Sequence, residues 1–459
     1  MTLAVSDALV FFGATGDLAY KKIFPALHHM VSRGALDVPV IGVAKSDWTL
    51  DDLRKRARAS VDEYGIEDEP AFRKLMDLLQ YIDGDYTDPA TFDRLRQTLG
   101  AAQHPTHYLA IPPSLFALVI NELGRSNCAD GARVVIEKPF GHNTASATAL
   151  NDTVHQVFPE SAIFRIDHYL GKDAVENIMY FRFANTFLEP MWSHHYIDSI
   201  EITMAENFGI KGRGKFYDET GAIRDVIQNH LLQVVTLLAM EPPWSISEAE
   251  AIRDEQVKVL HTVVPLQPSD VVRGQFRGYR DEPGVAPESQ VETYAAVRLC
   301  IESWRWRGVP FLIRAGKQLP ITMTQVRVNL KAPPLVTLAG RPNFIRFRLG
   351  PLVSISIGAE VKDFRQDGKT DSVELSMVRR PDPLGEVDAY EGLLSDAMHG
   401  VQTRFVREDA VLAQWRIVEA VLDTATPLHP YEPGTWGPAE AQGLAADPGG
   451  WHNPHVEHP

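Results

Sequence analysis

Apolar and polar positions along this 459-residue chain follow two different rhythms. Up to about residue 167, short unbroken apolar runs alternate with helical stretches. Ala8-Leu9-Val10-Phe11-Phe12 reads as a buried strand, followed by glycines and a helical stretch to about Ser32. Gly34 is placed to end that helix, and Pro25 inside it predicts a kink or an early break. Further strands are expected at 38–43, 106–111 and 133–136, with helices over 53–64 and 71–79. This order predicts βαβ units and a parallel sheet.

After about residue 195 the rhythm changes to a period of two. Ile200, Ile202 and Met204 alternate with polar neighbours, as do Val297, Leu299 and Ile301. The runs 326–330, 353–357 and 373–377 repeat the pattern. Strands with one covered face and one more polar face predict an antiparallel sheet. Helices around 222–240 and 405–422 are expected to cover its apolar side. The stretch from about Pro427, rich in Gly, Pro and His, is expected to be irregular. The chain is longer than one core usually grows, so two domains are predicted. They are a Rossmann-type α/β dinucleotide-binding domain over 1–167 and an α+β domain over 168–459.

Composition narrows the partners. Charged residues make up 23% and the formal net charge is −15, which argues against nucleic acid or an anionic membrane. No apolar run approaches the roughly 18 residues of a membrane span, and the N-terminus carries no secretory pattern. Cys128 and Cys300 are too few for a disulfide framework or a four-cysteine zinc site, so a reducing, cytoplasmic setting is expected. No His, Cys and carboxylate cluster has ligand spacing, and no metal is expected.

An acidic chain that binds anions must gather cations locally, and three places do so. Gly13-Ala14-Thr15-Gly16-Asp17-Leu18-Ala19 lies between the first strand and the first helix. Small residues there let backbone approach a pyrophosphate at a helix N-terminus. A tight βα turn also needs glycine without any ligand; the place at the first strand of a βαβ series favours the dinucleotide. The second strand runs into Lys45 and Ser46 rather than the acid that holds the ribose 2′-hydroxyl of NAD. That favours the 2′-phosphate of NADP, although Asp47 keeps NAD open and Lys45 also reads as a solvated surface lysine.

Glu137 and Lys138 follow a buried strand, where ligands of open α/β sheets bind. Arg165-Ile166-Asp167-His168-Tyr169-Leu170-Gly171-Lys172 gathers donors suited to a phosphate monoester, or else a buried ion pair at a domain boundary. In 223–232, His230 falls on the apolar face with Val226, Val234 and Leu237. It reads as a core histidine or as a general base in a partly dry pocket. On an α-helical wheel Asp225 lies about 140° away and is a poor candidate to orient it.

Together these segments resemble the glucose-6-phosphate dehydrogenase family. The likeness covers the glycine loop, Glu137-Lys138-Pro139-Phe140-Gly141, Arg165 to Lys172, Phe183-Ala184-Asn185, Gly212-Arg213-Gly214, Arg224-Asp225 with Gln228-Asn229-His230, Arg314-Ala315-Gly316-Lys317, and Trp436-Gly437-Pro438. The resemblance implies oxidation of C1 of glucose 6-phosphate to the lactone with hydride passing to NADP, the first step of the pentose phosphate pathway. It implies His230 as the base and Asp167 as its carboxylate partner. His168, Tyr169 and Lys172 would bind the sugar phosphate, with Glu206, Asp225 and Lys317 at the sugar or its phosphate. Lys138 would lie between sugar and nicotinamide, and Gly13, Ala14, Thr15, Gly16, Asp17, Leu18 and Lys45 would hold the cofactor. It also implies a catalytic and oligomerisation role for 168–459, and a homodimer or homotetramer. Three positions depart from the family pattern: Thr322 stands for a second basic residue, Gly350 for the Gln of an Arg-x-Gln-Pro run, and Lys45 for an arginine. A dehydrogenase of unphosphorylated sugar or inositol and a silent NADP-binding sensor are the competing readings.

Overall fold

Alternating βα segments at the N-terminal end of the chain build one sheet, and the strands after residue 196, apart from Phe405–Val406, build another. The computed structural model describes residues 4–65, 68–334, 342–365, 370–378, 388–423, 425–445 and 450–455. The chain separates into two compact units. One comprises Met1–Lys172, Trp244–Arg253 and Gly385–Leu412; the other comprises Asp173–Pro243, Asp254–Leu384 and Ala413–Pro459.

In the first unit the strands are β1 (Ala8–Phe12), β2 (Val40–Ala44), β3 (Leu79–Asp83), β4 (Pro105–Leu109), β5 (Arg133–Glu137) and β6 (Ile163–Ile166). They run parallel in the order β3-β2-β1-β4-β5-β6, and a short antiparallel strand, Phe405–Val406, closes the β6 edge. That order is the doubly wound Rossmann arrangement, whose crevice opens between β1 and β4 where the winding reverses. β1, β2, β4 and β5 are buried throughout, as strands covered on both faces must be. Leu79 begins a strand and does not end the helix, which covers Glu69–Leu78. After the glycine loop the helix opens as a wide turn over Ala19–Ile23, where the Phe24 N–H reaches the Ala19 carbonyl. Pro25, which has no N–H to give, follows this wide turn directly, in the first turn of Phe24–Ser32.

The core of this unit is finished from far along the chain. Leu393, Leu394, Ala397, Met398 and Phe405 pack with Leu9, Phe11, Leu27 and Phe164. Full burial of side chains like these contributes about 1.5–3 kcal/mol each.

The second unit carries β7 (Ile197–Ala205), β8 (Val271–Phe276), β9 (Tyr294–Cys300), β10 (Pro310–Gly316), β11 (Met323–Leu330), β12 (Phe344–Gly350), β13 (Ser354–Lys362) and β14 (Thr370–Val378). Their order is β14-β13-β12-β11-β7-β10-β9-β8, and the strand Leu428–Tyr431 lies beside β8. The sheet is mainly antiparallel, with parallel pairs β7–β10 and β8 with Leu428–Tyr431. The tail is thus partly ordered, against the expectation of irregular chain. Its aromatic residues explain this: Arg314, fully buried on β10, lies 4.8 Å from the Trp436 ring and 4.9 Å from the Trp451 ring. Among the described residues no helix is long and apolar enough to cross a membrane.

Candidate active site

The turn after β1 needs glycine for its own close packing against the chain beyond β4. Gly13 has φ +79°, and a Cβ there would lie 2.2 Å from the Ala110 carbonyl oxygen beyond β4. Its N–H is shared between the Val43 carbonyl at 2.9 Å and the Tyr86 hydroxyl at 2.8 Å. Ala14 N–H also points to Val43, at 3.3 Å, and Gly16 N–H closes the turn onto the Gly13 carbonyl at 2.9 Å. Thr15 Oγ1 meets Ser46 Oγ at 2.7 Å. Asp17 is exposed near Lys21 and Arg56, and Leu18 is half-buried against the core. A cradle of small residues between the ends of β1, β2 and β4 suits a dinucleotide pyrophosphate. Beyond β2, Lys45 Nζ lies 2.6 Å from Asp85, a bond that raises the lysine pKa and holds the carboxyl well below its usual range.

Two further groups of candidates follow β5 and β6 in the same unit. Glu137, buried at the end of β5, accepts a hydrogen bond from Tyr108 OH. Burial pushes its pKa up to about 7, against the pull of Tyr108 and Lys138, and the Asp167 charge adds to the rise. Lys138 continues directly from it. Past β6, the buried Asp167 accepts the Tyr169 N–H through Oδ1 at 3.0 Å, and its carbonyl accepts the Leu170 N–H at 3.0 Å. The Lys172 N–H returns to the Tyr169 carbonyl at 3.1 Å. This winding brings His168, Tyr169 and Lys172 together. The His168 ring lies 5.5 Å from that of Tyr169 and stacks on Tyr390, and Lys172 Nζ sits 3.9 Å above the Tyr169 ring. Imidazole, phenol and ammonium thus share one short turn.

The second unit holds the remaining candidates. β7 and β10 run parallel with Ala205 opposite Gly316, so the next residues, Glu206 and Lys317, emerge side by side. Lys317 Nζ pairs with the Glu206 carboxylate. The Lys317 backbone is held by the Thr293 carbonyl at 2.9 Å and the Tyr431 hydroxyl at 2.7 Å. Thr322, in the loop returning to β11, donates to Asn207 Oδ1 at 2.7 Å and accepts the Asn207 N–H at 3.1 Å.

His230 lies on a helix whose geometry overturns the α-helical wheel. Ile223–Leu231 is a π-helix, and the Leu232 N–H reaches the Ile227 carbonyl five residues back. At about 4.4 residues per turn, residues five apart fall about 50° apart, so Asp225 and His230 share a side of this helix. Asn229 supports the wide turn: its Nδ2 donates to the Arg224 carbonyl at 2.9 Å and its Oδ1 accepts the His230 N–H at 2.6 Å. Gly221 (φ +69°) sets the start, where a Cβ would meet the Glu292 carboxylate at 2.6 Å. Glu292 Oε1 instead accepts the Ile223 N–H at 3.0 Å, a negative charge where the helix dipole favours one. His230 is buried, as the apolar-face expectation required.

Several supporting residues escaped the sequence reading: Tyr86 and Asp85 beside the glycine loop, Glu292 at the wide helix, and Tyr431 behind Lys317, while Asn229 was matched in a motif without a role. A signal existed for the first two, because Leu79-Gln80-Tyr81-Ile82 alternates and the Gly84-Asp85 turn follows. Away from these groups, His155, Glu160 and Glu408 offer ligand atoms within 4.8 Å of one another. Arg165 holds Glu160 at 2.7 and 2.9 Å, so that charge is met within the protein.

Comparison with known proteins gives a consistent likeness. Residues 10–177 match the glucose-6-phosphate dehydrogenase NAD binding domain, and residues 179–452 match the C-terminal domain of the same family. The chain is 43% identical to glucose-6-phosphate 1-dehydrogenase 1 of Mycobacterium tuberculosis, over 98% of this chain and 97% of that protein. A solved glucose-6-phosphate 1-dehydrogenase from Mycobacterium avium superposes with a TM-score of 0.91 at 42% identity, covering 99% of this chain and all of the other. A glucose-6-phosphate dehydrogenase solved with its substrate glucose-6-phosphate gives 0.90 at 32% identity, with the same coverage.

Proposed function

The chain belongs to the glucose-6-phosphate dehydrogenase family and oxidises C1 of glucose 6-phosphate to the lactone with NADP, and we propose that His230 is the base that takes the C1 hydroxyl proton. When bound, NADP accepts the hydride that leaves C1. The proton moves from the C1 oxygen to the imidazole, so C1 and its oxygen become the lactone carbonyl. A buried histidine serves well here, because an imidazole titrates near neutrality and its apolar setting limits competing water. Asp167 acts as its carboxylate partner, fixing the tautomer and stabilising the charged ring.

His168, Tyr169 and Lys172 bind the phosphate, for which their clustered donors are suited. Glu206 and Asp225 accept from sugar hydroxyls, and Lys317, already paired with Glu206, orders that carboxylate and adds positive charge. Lys138 sits between sugar and nicotinamide. Gly13, Ala14, Thr15, Gly16, Asp17 and Leu18 take the pyrophosphate side, and Lys45 the 2′-phosphate. By this reading residues 1–167 form the dinucleotide-binding domain and 168–459 the catalytic and oligomerisation domain.

The protein works in the cytoplasm, where its two unpaired cysteines stay reduced, and as a homodimer or homotetramer. Exposed Leu375, Met377 and Val378 on β14 are apolar surface that a second copy would cover. Sedimentation of the purified protein tests the assembly.

The observation that carries the substrate reading is the clustering of His168, Tyr169 and Lys172 in a chain that matches the family over nearly its whole length. Initial rates with glucose 6-phosphate and with glucose, each with NADP and NAD, test it. The phosphate ester is expected to win by several orders of magnitude in kcat/KM. Comparable efficiency on glucose would assign the chain to the dehydrogenases of unphosphorylated sugars.

A further inference from the structure

Directly after β2 come a cation and a hydroxyl, Lys45 and Ser46, with Asp47 the first acid of its own strand end. The fold delivers acids there from the neighbouring strand. β3 runs parallel to β2 with Asp83 opposite Ala44, so the chain leaving β3 passes Lys45 and Ser46. Its two carboxylates do different work. Asp83 Oδ1 accepts the N–H groups of Ser46 at 2.9 Å and Asp47 at 3.1 Å, and thereby shapes the turn after β2. Asp85 Oδ1 accepts the N–H and hydroxyl of Thr87, both at 2.8 Å, which turns Oδ2 toward Lys45 Nζ at 2.6 Å.

Asp85 is more than a passing surface acid. Its carbonyl is held by Thr91 Oγ1 at 2.9 Å, and the next residue, Tyr86, accepts the Gly13 N–H and donates to the Val43 carbonyl at 2.9 Å. The carboxylate is therefore anchored to the same glycine that opens the pyrophosphate turn. A carboxylate in this region accepts from a ribose 2′-hydroxyl, whereas a 2′-phosphate calls for a cation and is repelled by an acid. Lys45 and Asp85 offer both at one place.

We propose that Asp85 is a cofactor-specificity residue, accepting the 2′-hydroxyl of NAD and opposing the 2′-phosphate of NADP, so that the site serves both cofactors. This rests on the reading of Lys45 as the cation of the 2′-phosphate. Asp85 does in this fold what an acid at the end of the second strand does in NAD-specific domains, but from one strand further out. It also occupies Lys45, so NADP must break an ion pair to use that cation.

The test compares full-length wild type with Asp85→Asn, Lys45→Ala and the double variant. Asparagine keeps an oxygen for the Thr87 donors, and equal melting temperatures confirm that the turn is intact. Dissociation constants for adenosine 2′,5′-bisphosphate and for AMP are read by calorimetry, and kcat/KM is measured with NADP and NAD. Asp85→Asn is expected to tighten the bisphosphate and raise kcat/KM with NADP by about two- to fivefold, the scale of one exposed charge interaction. NAD should lose efficiency by a similar factor. If Asp85→Asn changes neither the affinities nor the NADP to NAD ratio while Lys45→Ala weakens the bisphosphate alone, Asp85 is only an ion-pair partner and the proposal fails. If Lys45→Ala weakens bisphosphate and AMP equally, the reading of Lys45 itself falls, and the proposal with it.

Discussion

Asn229→Ala tests the widened helix that carries the proposed base. One carboxamide bridges the Arg224 carbonyl and the His230 N–H, at 2.9 and 2.6 Å. Removing it deletes two hydrogen bonds that hold the wide turn, at about 0.5–1.5 kcal/mol each. The helix can avoid that cost by tightening to ordinary α-helical bonds. Asp225 and His230 would then move from about 50° apart to about 140° apart, several ångströms at the imidazole. Misplacement of a reacting group by about 1 Å already costs on the order of a hundredfold. The variant is therefore expected to lose at least about a hundredfold in kcat, with a melting temperature lower by several degrees. Initial rates at saturating substrate and amide exchange at His230 measure the two effects. Near-parental kcat with slow exchange at that amide would refute the claim that the wide turn positions His230.

Four other outcomes are expected. His230→Asn should lower kcat by about a hundredfold or more with sugar binding nearly intact, and Asp167→Asn should shift the pH–rate profile; an unchanged profile would separate Asp167 from the base. Glu137 holds its proton to about pH 7 when folded, against about 4.3 in an unfolded chain. The folded state then binds the extra proton between those values, so this contribution is full below about pH 4.3 and is lost as pH rises through 7. Glu137→Gln should flatten that decline, gaining about 3 kcal/mol on the parent between pH 4 and pH 8 in denaturant titrations; parallel stability curves would show that Glu137 stays ionised. Thr322→Arg exchanges a hydroxyl committed to Asn207 for a cation, and the KM for glucose 6-phosphate should fall by up to about tenfold or stay unchanged. A clear rise would show that the Thr322–Asn207 bond matters more to the site than added charge.

How far the sequence carried these conclusions depended on whether a signal was local. β1, β2, β4 and β5 were legible because strands covered on both faces need unbroken apolar runs, and those runs are visible without any partner. β3 was missed, and its first residue was given to the preceding helix, because Leu79 fits the apolar stripe of that helix as well as the start of a strand. β10 escaped because a strand lying between β7 and β9 shows no alternation. The candidates carried by contiguous motifs, His168, Tyr169 and Lys172, were found, and they do gather in one turn. The supports that reach across the sequence were not found, because nothing near Gly13 names Tyr86 and nothing near Lys317 names Tyr431. The wheel failed for Asp225 because it assumed α-helical spacing, and hydrogen-bond register is a property of the folded backbone.

The borrowed segment that completes the first core sets a clock on biosynthesis. The parallel sheet is fully encoded by residue 172, yet Leu393, Leu394, Met398 and Phe405 leave the ribosome roughly 230 residues later. At about 5–20 residues per second, that is a wait of roughly ten to fifty seconds. Throughout it the nascent sheet lacks its last apolar cover, and β6 keeps an open edge until Phe405–Val406 arrives. Newly made chains are therefore most exposed to aggregation and to chaperone capture while the middle of the protein is still being translated. For the same reason a gene cut after residue 172 would encode a sheet fixed permanently in that unfinished state.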